Sequence, residues 1–187
     1  MPNWAFGTAT ITGTESSVIK FVNRFIFDGD EDRDYENREQ KYFARSFTNN
    51  LHDDVLKKLA EVFCGLSADD TGVFELPVDF AWSAQNCLID GYPQDYPDYC
   101  ITLSTACIED QVSVEITTEE EDMSFREFIN CDNQGQLSSN CKCIMPCKCR
   151  NCGSIFGLVS FNDAYKYSCY ECGEVGLDPV EEDAELE

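Results

Sequence analysis

Hydrophobic positions near the start of the chain change from strand to helix periodicity. Residues 4–13 are rich in aromatic and β-branched side chains, which predicts a first strand. Gly13 breaks this strand, and Thr14 offers its hydroxyl as the N-cap of a helix. Over residues 15–26 the apolar side chains recur at helical spacing, so we expect an amphipathic helix with one buried face.

The rest of the first 135 residues continues this mixture of strands, helices and turns. The predicted elements are a strand over 41–47, a helix between Asn50 and Gly65, a strand over 74–83, a helical turn over 86–90, a proline-rich loop over 91–99, a hairpin of strands 101–108 and 111–118, and a strand over 125–131. This order predicts an α+β fold, with a ferredoxin-like antiparallel sheet and helices on one face. The acidic run 28–39 lacks apolar periodicity and is interpreted as a solvated loop.

Two Cys-x-x-Cys-Gly motifs dominate the residues after the polar stretch 136–140, which is the predicted domain boundary. Four thiolates at this spacing suit a tetrahedral zinc ion, and they close its coordination shell. The metal should therefore be structural rather than catalytic. We predict a zinc ribbon over residues 136–176, with strands over 154–161 and 165–168. Its Zn²⁺ ligands are Cys149, Cys152, Cys169 and Cys172.

The remaining cysteines leave a second metal site open. The chain has 12 cysteines, and four of them near the ribbon have irregular spacing: Cys131, Cys141, Cys143 and Cys147. The sequence has no apolar run of the roughly 18 residues that a membrane span needs, and its start lacks a secretion signal. We therefore expect a cytoplasmic protein, where cysteines serve as metal ligands and buried thiols.

Acidic residues greatly outnumber basic ones, and the imbalance is uneven along the chain. There are 13 Lys and Arg against 36 Asp and Glu, a net charge of −23. Residues 1–135 hold 9 basic and 27 acidic side chains (−18), residues 136–176 hold 4 and 3 (+1), and the acidic tail 177–187 holds none and 6 (−6). Such a surface repels phosphate backbones and attracts basic partners, so direct nucleic-acid binding is not favoured.

Several short stretches of residues 1–135 resemble a known family. Met1-Pro2-Asn3-Trp4 followed by Thr10-Ile11-Thr12-Gly13 is similar to the opening of the YubB-type ferredoxin-like domains that plasmids and phages carry. Phe80-Ala81-Trp82-Ser83 and the predicted hairpin 101–118 resemble that family's middle sheet. The resemblance implies the ferredoxin-like fold and a mobile-element origin, and it implies no particular activity.

The segment 90–99 combines aromatic and acidic side chains in a way that is typical of a protein-binding site. Tyrosine supplies rigid contact area, and aspartate pairs bidentately with arginine on a basic partner. The alternative is an ordinary proline-rich connection. The predicted partner-binding residues are Asp90, Tyr92, Asp95, Tyr96, Asp98 and Tyr99.

The only histidine, His52, lies beside Asp53 and Asp54, and these three are the catalytic candidates. Consecutive residues on a helix do not converge on one point, however, and aspartates in a first turn also stabilise the helix dipole. The sequence contains no glycine-rich phosphate loop, no Ser/His/Asp arrangement and no HExxH motif.

Together these features predict a binding protein rather than an enzyme. The leading hypothesis is a mobile-element accessory protein whose acidic surface occupies the basic nucleic-acid channel of a host defence enzyme, such as a CRISPR nuclease. The ribbon would stabilise the C-terminal half or provide a homodimer contact. Two alternatives stay open: a ribonuclease that acts on guide or messenger RNA, and a zinc-ribbon adaptor that binds nucleic acid in transcription or conjugation.

Overall fold

The computed structural model describes residues 3–25, 41–48, 52–120, 125–160, 168–169 and 171–179. Its elements are β1 (Trp4–Gly13), α1 (Glu15–Val22), β2 (Ser46–Phe47), α2 (His52–Phe63), β3 (Gly72–Ala81), α3 (Ala84–Leu88), α4 (Tyr92–Asp95), α5 (Leu103–Asp110), β4 (Ser113–Glu120), β5 (Phe125–Cys131), β6 (Leu137–Cys149), β7 (Ile155–Ser160) and β8 (Leu177–Pro179). The chain forms two compact units, an N-terminal unit of Met1–Glu120 and Glu127–Asn140 and a C-terminal unit of Glu121–Arg126 and Cys141–Glu187.

The N-terminal unit is built around β1, which is paired on both sides. β1 runs antiparallel to β3 over ten register pairs and antiparallel to β4 over seven. The short β2 pairs with β3, while β5 and β6 follow β4, so that the strand order is β2-β3-β1-β4-β5-β6. These observations confirm the predicted α+β class and its antiparallel sheet.

Side chains of β1, β3 and β4 alternate between a buried face and an outward face. Leu76, Ala9 and Ile116 share one row of the register and are buried, and the buried face forms one core with apolar residues of α1, α2 and α5. We call the outward positions of β1 from Phe6 to Thr12, with those opposite them on β3 and β4, the open face, because none of these positions is buried. Its residues are Phe6, Thr8, Thr10, Thr12, Val73, Glu75, Pro77, Asp79, Ser113, Glu115, Thr117 and Glu119.

The first helix begins where the sequence predicts and ends earlier. The Thr14 side chain accepts a hydrogen bond from the Ser17 N–H at 3.4 Å, which confirms the predicted N-cap. The helix ends at Val22 instead of continuing to residue 26, and a turn carries Arg24 and Phe25 into the core.

A buried ion pair ties this turn to the end of α5. The Arg24 guanidinium donates to both carboxylate oxygens of Asp110, at 2.6 and 3.1 Å, and to Glu109 at 2.9 Å. Arg24 also donates to the Lys41 carbonyl at 2.8 Å. Arg24 and Asp110 are both buried. The contacts of Arg24 hold together the turn after α1, the backbone at Lys41 and the end of α5, which are distant in sequence.

The predicted hairpin over 101–118 is wrong in its first half, which is the helix α5. Thr102 caps the helix by accepting from the Thr105 N–H at 3.3 Å, and Gln111 ends it with a left-handed φ of 54°. The buried positions are spaced i, i+3, i+4 and i+7, which is the helical period: Leu103, Ala106, Cys107 and Asp110. Strand-like composition in 101–108 was therefore overridden by packing of this stripe onto the core. The second half forms β4, as predicted.

Two further predicted boundaries shift. The strand expected over 41–47 is reduced to β2, because Arg45 adopts a left-handed φ of 49° and interrupts the extended chain. The loop expected over 91–99 contains the one-turn helix α4. The acidic run 28–39, Asn50, the ribbon residues 161–167 and residues 180–187 of the acidic tail lie outside the described residues.

In the C-terminal unit, β6 is the central strand. Cys147 pairs with Phe156 of β7 on one side and with Pro179 of β8 on the other, both antiparallel. β7 confirms the predicted strand after the first cysteine motif, and β8 occupies the start of the predicted tail.

Candidate functional site

The four predicted metal ligands converge in the C-terminal unit. The sulfur atoms of Cys149, Cys152, Cys169 and Cys172 all lie within 4.8 Å of one another. Two of the separations are 3.7 Å, between Cys149 and Cys172, and 3.5 Å, between Cys152 and Cys169. A tetrahedral metal with metal–sulfur bonds of about 2.3 Å requires sulfur–sulfur separations of about 3.8 Å. The cluster is therefore spaced for one tetrahedral metal ion.

Both cysteine motifs form the same backbone turn. The Gly153 N–H donates to the Cys149 carbonyl at 3.0 Å, and the Gly173 N–H donates to the Cys169 carbonyl at 2.7 Å. The two glycines have φ angles of 76° and 75°, a left-handed conformation that a β-carbon disfavours. Each turn brings its own two sulfur atoms together, so the site is complete once the two turns meet.

Burial and polar neighbours make the four sulfur atoms unequal. Cys149 and Cys169 are buried, whereas Cys152 and Cys172 are exposed. Hydrogen bonding from Ser154, whose hydroxyl lies 3.1 Å from the Cys152 sulfur, lowers the pKa of that thiol to about 6. Burial raises the pKa of Cys169 to about 12. Binding of a divalent cation would deprotonate the remaining thiols, since thiolates are the ligating form.

The other candidate metal ligands do not join this cluster. Cys147 is buried beside Cys149, Cys131 is buried in the core of the N-terminal unit, and Cys141 is exposed. The side chain of Cys143 lies outside the described residues. Among the cysteines that the structure does describe, no group containing Cys131, Cys141 or Cys147 has metal-binding spacing.

Three of the predicted partner-binding residues line one cavity of the N-terminal unit. Tyr92, Tyr96 and Tyr99 face a space of about 240 Å³. Tyr96 and Tyr99 are 54% and 38% exposed, so their rings are accessible from solvent. The remaining lining residues are Tyr42, Phe43, Ala44, Arg45 and Cys100.

The three predicted aspartates do not line this cavity. Asp95 and Asp98 are exposed, and Asp90 accepts a hydrogen bond from the Gln85 side chain at 3.2 Å. Among the described residues that line it, Arg45 alone is charged, and its guanidinium lies 5.0 Å from the centroid of the Tyr92 ring. The part of the wall that the structure describes is therefore aromatic with a single positive charge, in a protein whose net charge is −23.

Sequence reasoning missed Tyr42 and Arg45, which lie about fifty positions before the tyrosines of segment 92–99. The structure joins the two segments through backbone hydrogen bonds, from the Tyr42 N–H to the Tyr99 carbonyl and from the Ile101 N–H to the Tyr42 carbonyl, both at 3.2 Å. The one available signal was that Arg45 falls on the same face of the predicted strand as Phe43. A charge on an apolar face is unfavourable in a regular strand and pointed to an irregular backbone.

The open face of the sheet brings together four carboxylates that the sequence did not single out. They form two rows across the strands, one centred on Thr10 and one on Phe6, which is 57% exposed. With strands about 4.8 Å apart and a rise of about 3.4 Å per residue, acids of one row are about 10 Å apart and the rows about 14 Å apart. No outward position of β1, β3 or β4 carries Lys or Arg. We call these residues the acidic quartet: Glu75, Asp79, Glu115 and Glu119.

The catalytic candidates lie at the start of α2, which begins at His52. Asp54 is exposed in the first turn, where a carboxylate stabilises the helix dipole. The side chains of His52 and Asp53 lie outside the described residues. Catalysis by this trio therefore stays a prediction.

Comparisons of the chain with protein-family models, with curated proteins and with solved structures give no match. Within the part of the chain that the structure describes, no helix has the length and apolar character needed to cross a bilayer.

Proposed function

We propose that this chain is a mobile-element accessory protein that binds a basic nucleic-acid-binding protein and inhibits it by occupying its nucleic-acid channel. The observation that supports this function is the open face of the sheet. It presents the acidic quartet and the exposed ring of Phe6 on three adjacent strands that carry no basic residue at their outward positions.

The physical advantage of this surface is that the sheet holds it in place. Backbone pairing along β1 fixes the strands that carry the acids, so little backbone entropy is lost when a partner binds. The negative potential accelerates the approach of a basic partner, and an exposed aromatic ring supplies apolar contact area. A CRISPR nuclease is a concrete target, because its heteroduplex channel is strongly positive.

The N-terminal unit would then be a ferredoxin-like domain of the YubB type. The strand order β2-β3-β1-β4 supports the ferredoxin-like part of this assignment, because β3 lies between β1 and β2 while β1 lies between β3 and β4. Helices α1 and α5 follow β1 and β3 in the chain, as in a split β-α-β arrangement, and α2 is an insertion between β2 and β3.

The metal of the C-terminal unit would be Zn²⁺ in a structural role. Four cysteine sulfurs fill a tetrahedral shell and leave no position for water or substrate. Bound zinc would join the two cysteine turns and stabilise the fold of this unit.

A salt-dependent pull-down with paired charge reversals tests the function. The full chain is incubated with a guide-loaded CRISPR nuclease complex at about 50 to 300 mM salt, a range over which exposed charges become strongly screened. Reversal of two open-face acids, Glu75→Lys with Glu115→Lys, should reduce binding by about tenfold or more. The matched control reverses two exposed acids elsewhere, Glu61→Lys with Asp69→Lys, and should change binding by less than about threefold.

The two variants have the same net charge, so any difference between them comes from position. Equal losses in both would mean that only total charge matters, and binding insensitive to salt would remove the electrostatic premise. Either result would overturn the proposal for this partner.

A further inference from the structure

The tyrosine-lined cavity differs in chemistry from the acidic surface around it. The described residues of its wall include four tyrosines and one arginine and contain no carboxylate. We propose that this cavity binds one aromatic ring of nucleobase size together with an anionic group, the combination found in a nucleoside monophosphate. The proposal does not depend on the partner-binding function.

The volume of the cavity sets the size of the ligand. The volume of the cavity is about 240 Å³. A planar ring system of roughly ten non-hydrogen atoms fills a similar space, whereas cofactor-sized ligands occupy pockets of about 300–1,000 Å³. The cavity therefore accepts one base, and any sugar and phosphate would lie at its mouth.

The wall favours an aromatic ligand. Tyr96 and Tyr99 present accessible rings, and stacking of a base on an aromatic side chain contributes about 1–3 kcal/mol. Tyrosine hydroxyls both donate and accept hydrogen bonds, so they suit the ring nitrogens and carbonyls of a base.

Arg45 favours a ligand that carries negative charge. Within the residues that the structure describes, its guanidinium makes no ion pair and lies against the Tyr92 ring, 5.0 Å from the centroid. A stacked guanidinium keeps its N–H edge available, and this edge matches phosphate oxygens bidentately. The Lys41 ammonium, which donates to the Pro97 carbonyl between Tyr96 and Tyr99, adds a second positive charge nearby. A cationic ligand would meet these charges, and the described wall residues contain no carboxylate to offset them.

The backbone holds Arg45 ready for this role. Its left-handed φ of 49° is unfavourable for a residue with a long side chain, and such conformations persist where the surroundings fix them. The Arg45 carbonyl accepts from the Ala81 N–H at 3.1 Å and from the Cys87 thiol at 3.6 Å. These bonds hold the backbone of Arg45 in place, and its contact with the Tyr92 ring positions the guanidinium.

A base with a phosphate could come from a free mononucleotide or from a single strand of nucleic acid. The net charge of the protein disfavours the strand more than the mononucleotide. A strand brings several phosphates into the field of a chain with net charge −23, whereas a mononucleotide places its phosphate beside Arg45. We therefore expect the free mononucleotide to bind more tightly than a strand, per site.

Isothermal titration calorimetry of the full chain tests the proposal, with the common ribonucleoside 5′-monophosphates, the matching nucleosides and a short single-stranded RNA as probes. At least one monophosphate should bind with a Kd of about 1 mM or tighter, and its nucleoside should bind about tenfold more weakly. Arg45→Met should weaken the monophosphate about tenfold and leave the nucleoside within about twofold. Arg45→Lys should restore part of the loss, and Tyr96→Ala should weaken both ligands about tenfold.

The matched control is Lys57→Met, which removes the same charge from an exposed position on α2 and should leave both affinities unchanged. Unchanged nucleoside binding also shows that Arg45→Met is folded. Three results would overturn the proposal: no monophosphate binds at about 10 mM, Arg45→Met weakens nucleoside and monophosphate equally, or the RNA strand binds more tightly than every monophosphate.

Discussion

Replacing Arg24 by methionine should destabilise the N-terminal unit strongly, because it leaves the buried carboxylate of Asp110 without its ion-pair partner. Arg24 is 4% exposed and Asp110 5% exposed, and the guanidinium donates to both oxygens of that carboxylate. Glu109, the other acidic partner, is 53% exposed and can be hydrated after the change. The lost interaction with Asp110 therefore dominates.

The magnitude follows from the burial of the pair. Removing one partner of a buried ion pair costs about 3–5 kcal/mol, because the remaining charge keeps its desolvation cost without compensation. The Lys41 carbonyl also loses a hydrogen bond, worth about 1 kcal/mol. For a chain of this size each kcal/mol lowers Tm by about 2–4 °C, so a total of about 4–6 kcal/mol should lower Tm by about 8–24 °C.

Tryptophan fluorescence during urea unfolding is the suitable assay, since the only tryptophans, Trp4 and Trp82, both belong to the N-terminal unit. The double variant Arg24→Met with Asp110→Leu replaces the pair by apolar side chains and should recover most of the loss. Lys57→Met, on the exposed side of α2, serves as the charge control. A loss of less than about 1 kcal/mol for Arg24→Met, or no recovery in the double variant, would refute the reasoning.

Three further predictions concern the metal centre and a second buried carboxylate. Elemental analysis should find one zinc per chain, and Cys152→Ser should lower the metal content and the proton release that accompanies zinc uptake; a Cys64→Ser control should change neither. A β-carbon added at Gly173 has no atom within 4 Å, so only the left-handed φ of 75° opposes Gly173→Ala. A cost of about 1 kcal/mol should weaken zinc binding about fivefold in a competition assay with a chelator. Unchanged zinc affinity would contradict the assigned turn. Glu127 is buried and accepts hydrogen bonds from the Ala84 and Gln85 N–H groups at 2.7 and 3.3 Å. Glu127→Leu should lower the free energy of unfolding in urea by about 2–3 kcal/mol, and Glu127→Gln should lower it distinctly less. Equal losses of stability would contradict an acceptor role.

The metal cluster was predictable because its determinants are local. Each Cys-x-x-Cys-Gly turn is fixed by backbone hydrogen bonds within five residues and by one glycine with positive φ, for example Gly153. β1 and the Thr14 cap were predictable for the same reason, since strand alternation and N-caps depend on a few neighbouring side chains.

The helix α5 shows where local reasoning failed. Residues 101–108 have a composition that suits a strand, but Leu103, Ala106 and Cys107 also fit a helical stripe. Both periods are present in so short a segment, and burial of the helical stripe in the core decides between them. A local sign of the helix, the Thr102 N-cap, is present in the segment but does not by itself exclude a strand.

The sequence alone determined the elements whose stabilising contacts lie a few residues apart: the cysteine turns, the alternating strands and the excess of acid. Tertiary structure alone decided which distant side chains meet. Register places Glu75 and Glu115 on either side of Thr10, and backbone bonds bring Arg45 to the tyrosines of segment 92–99. These juxtapositions depend on chain pairing across long sequence separations, where the free energy of the whole core selects one register.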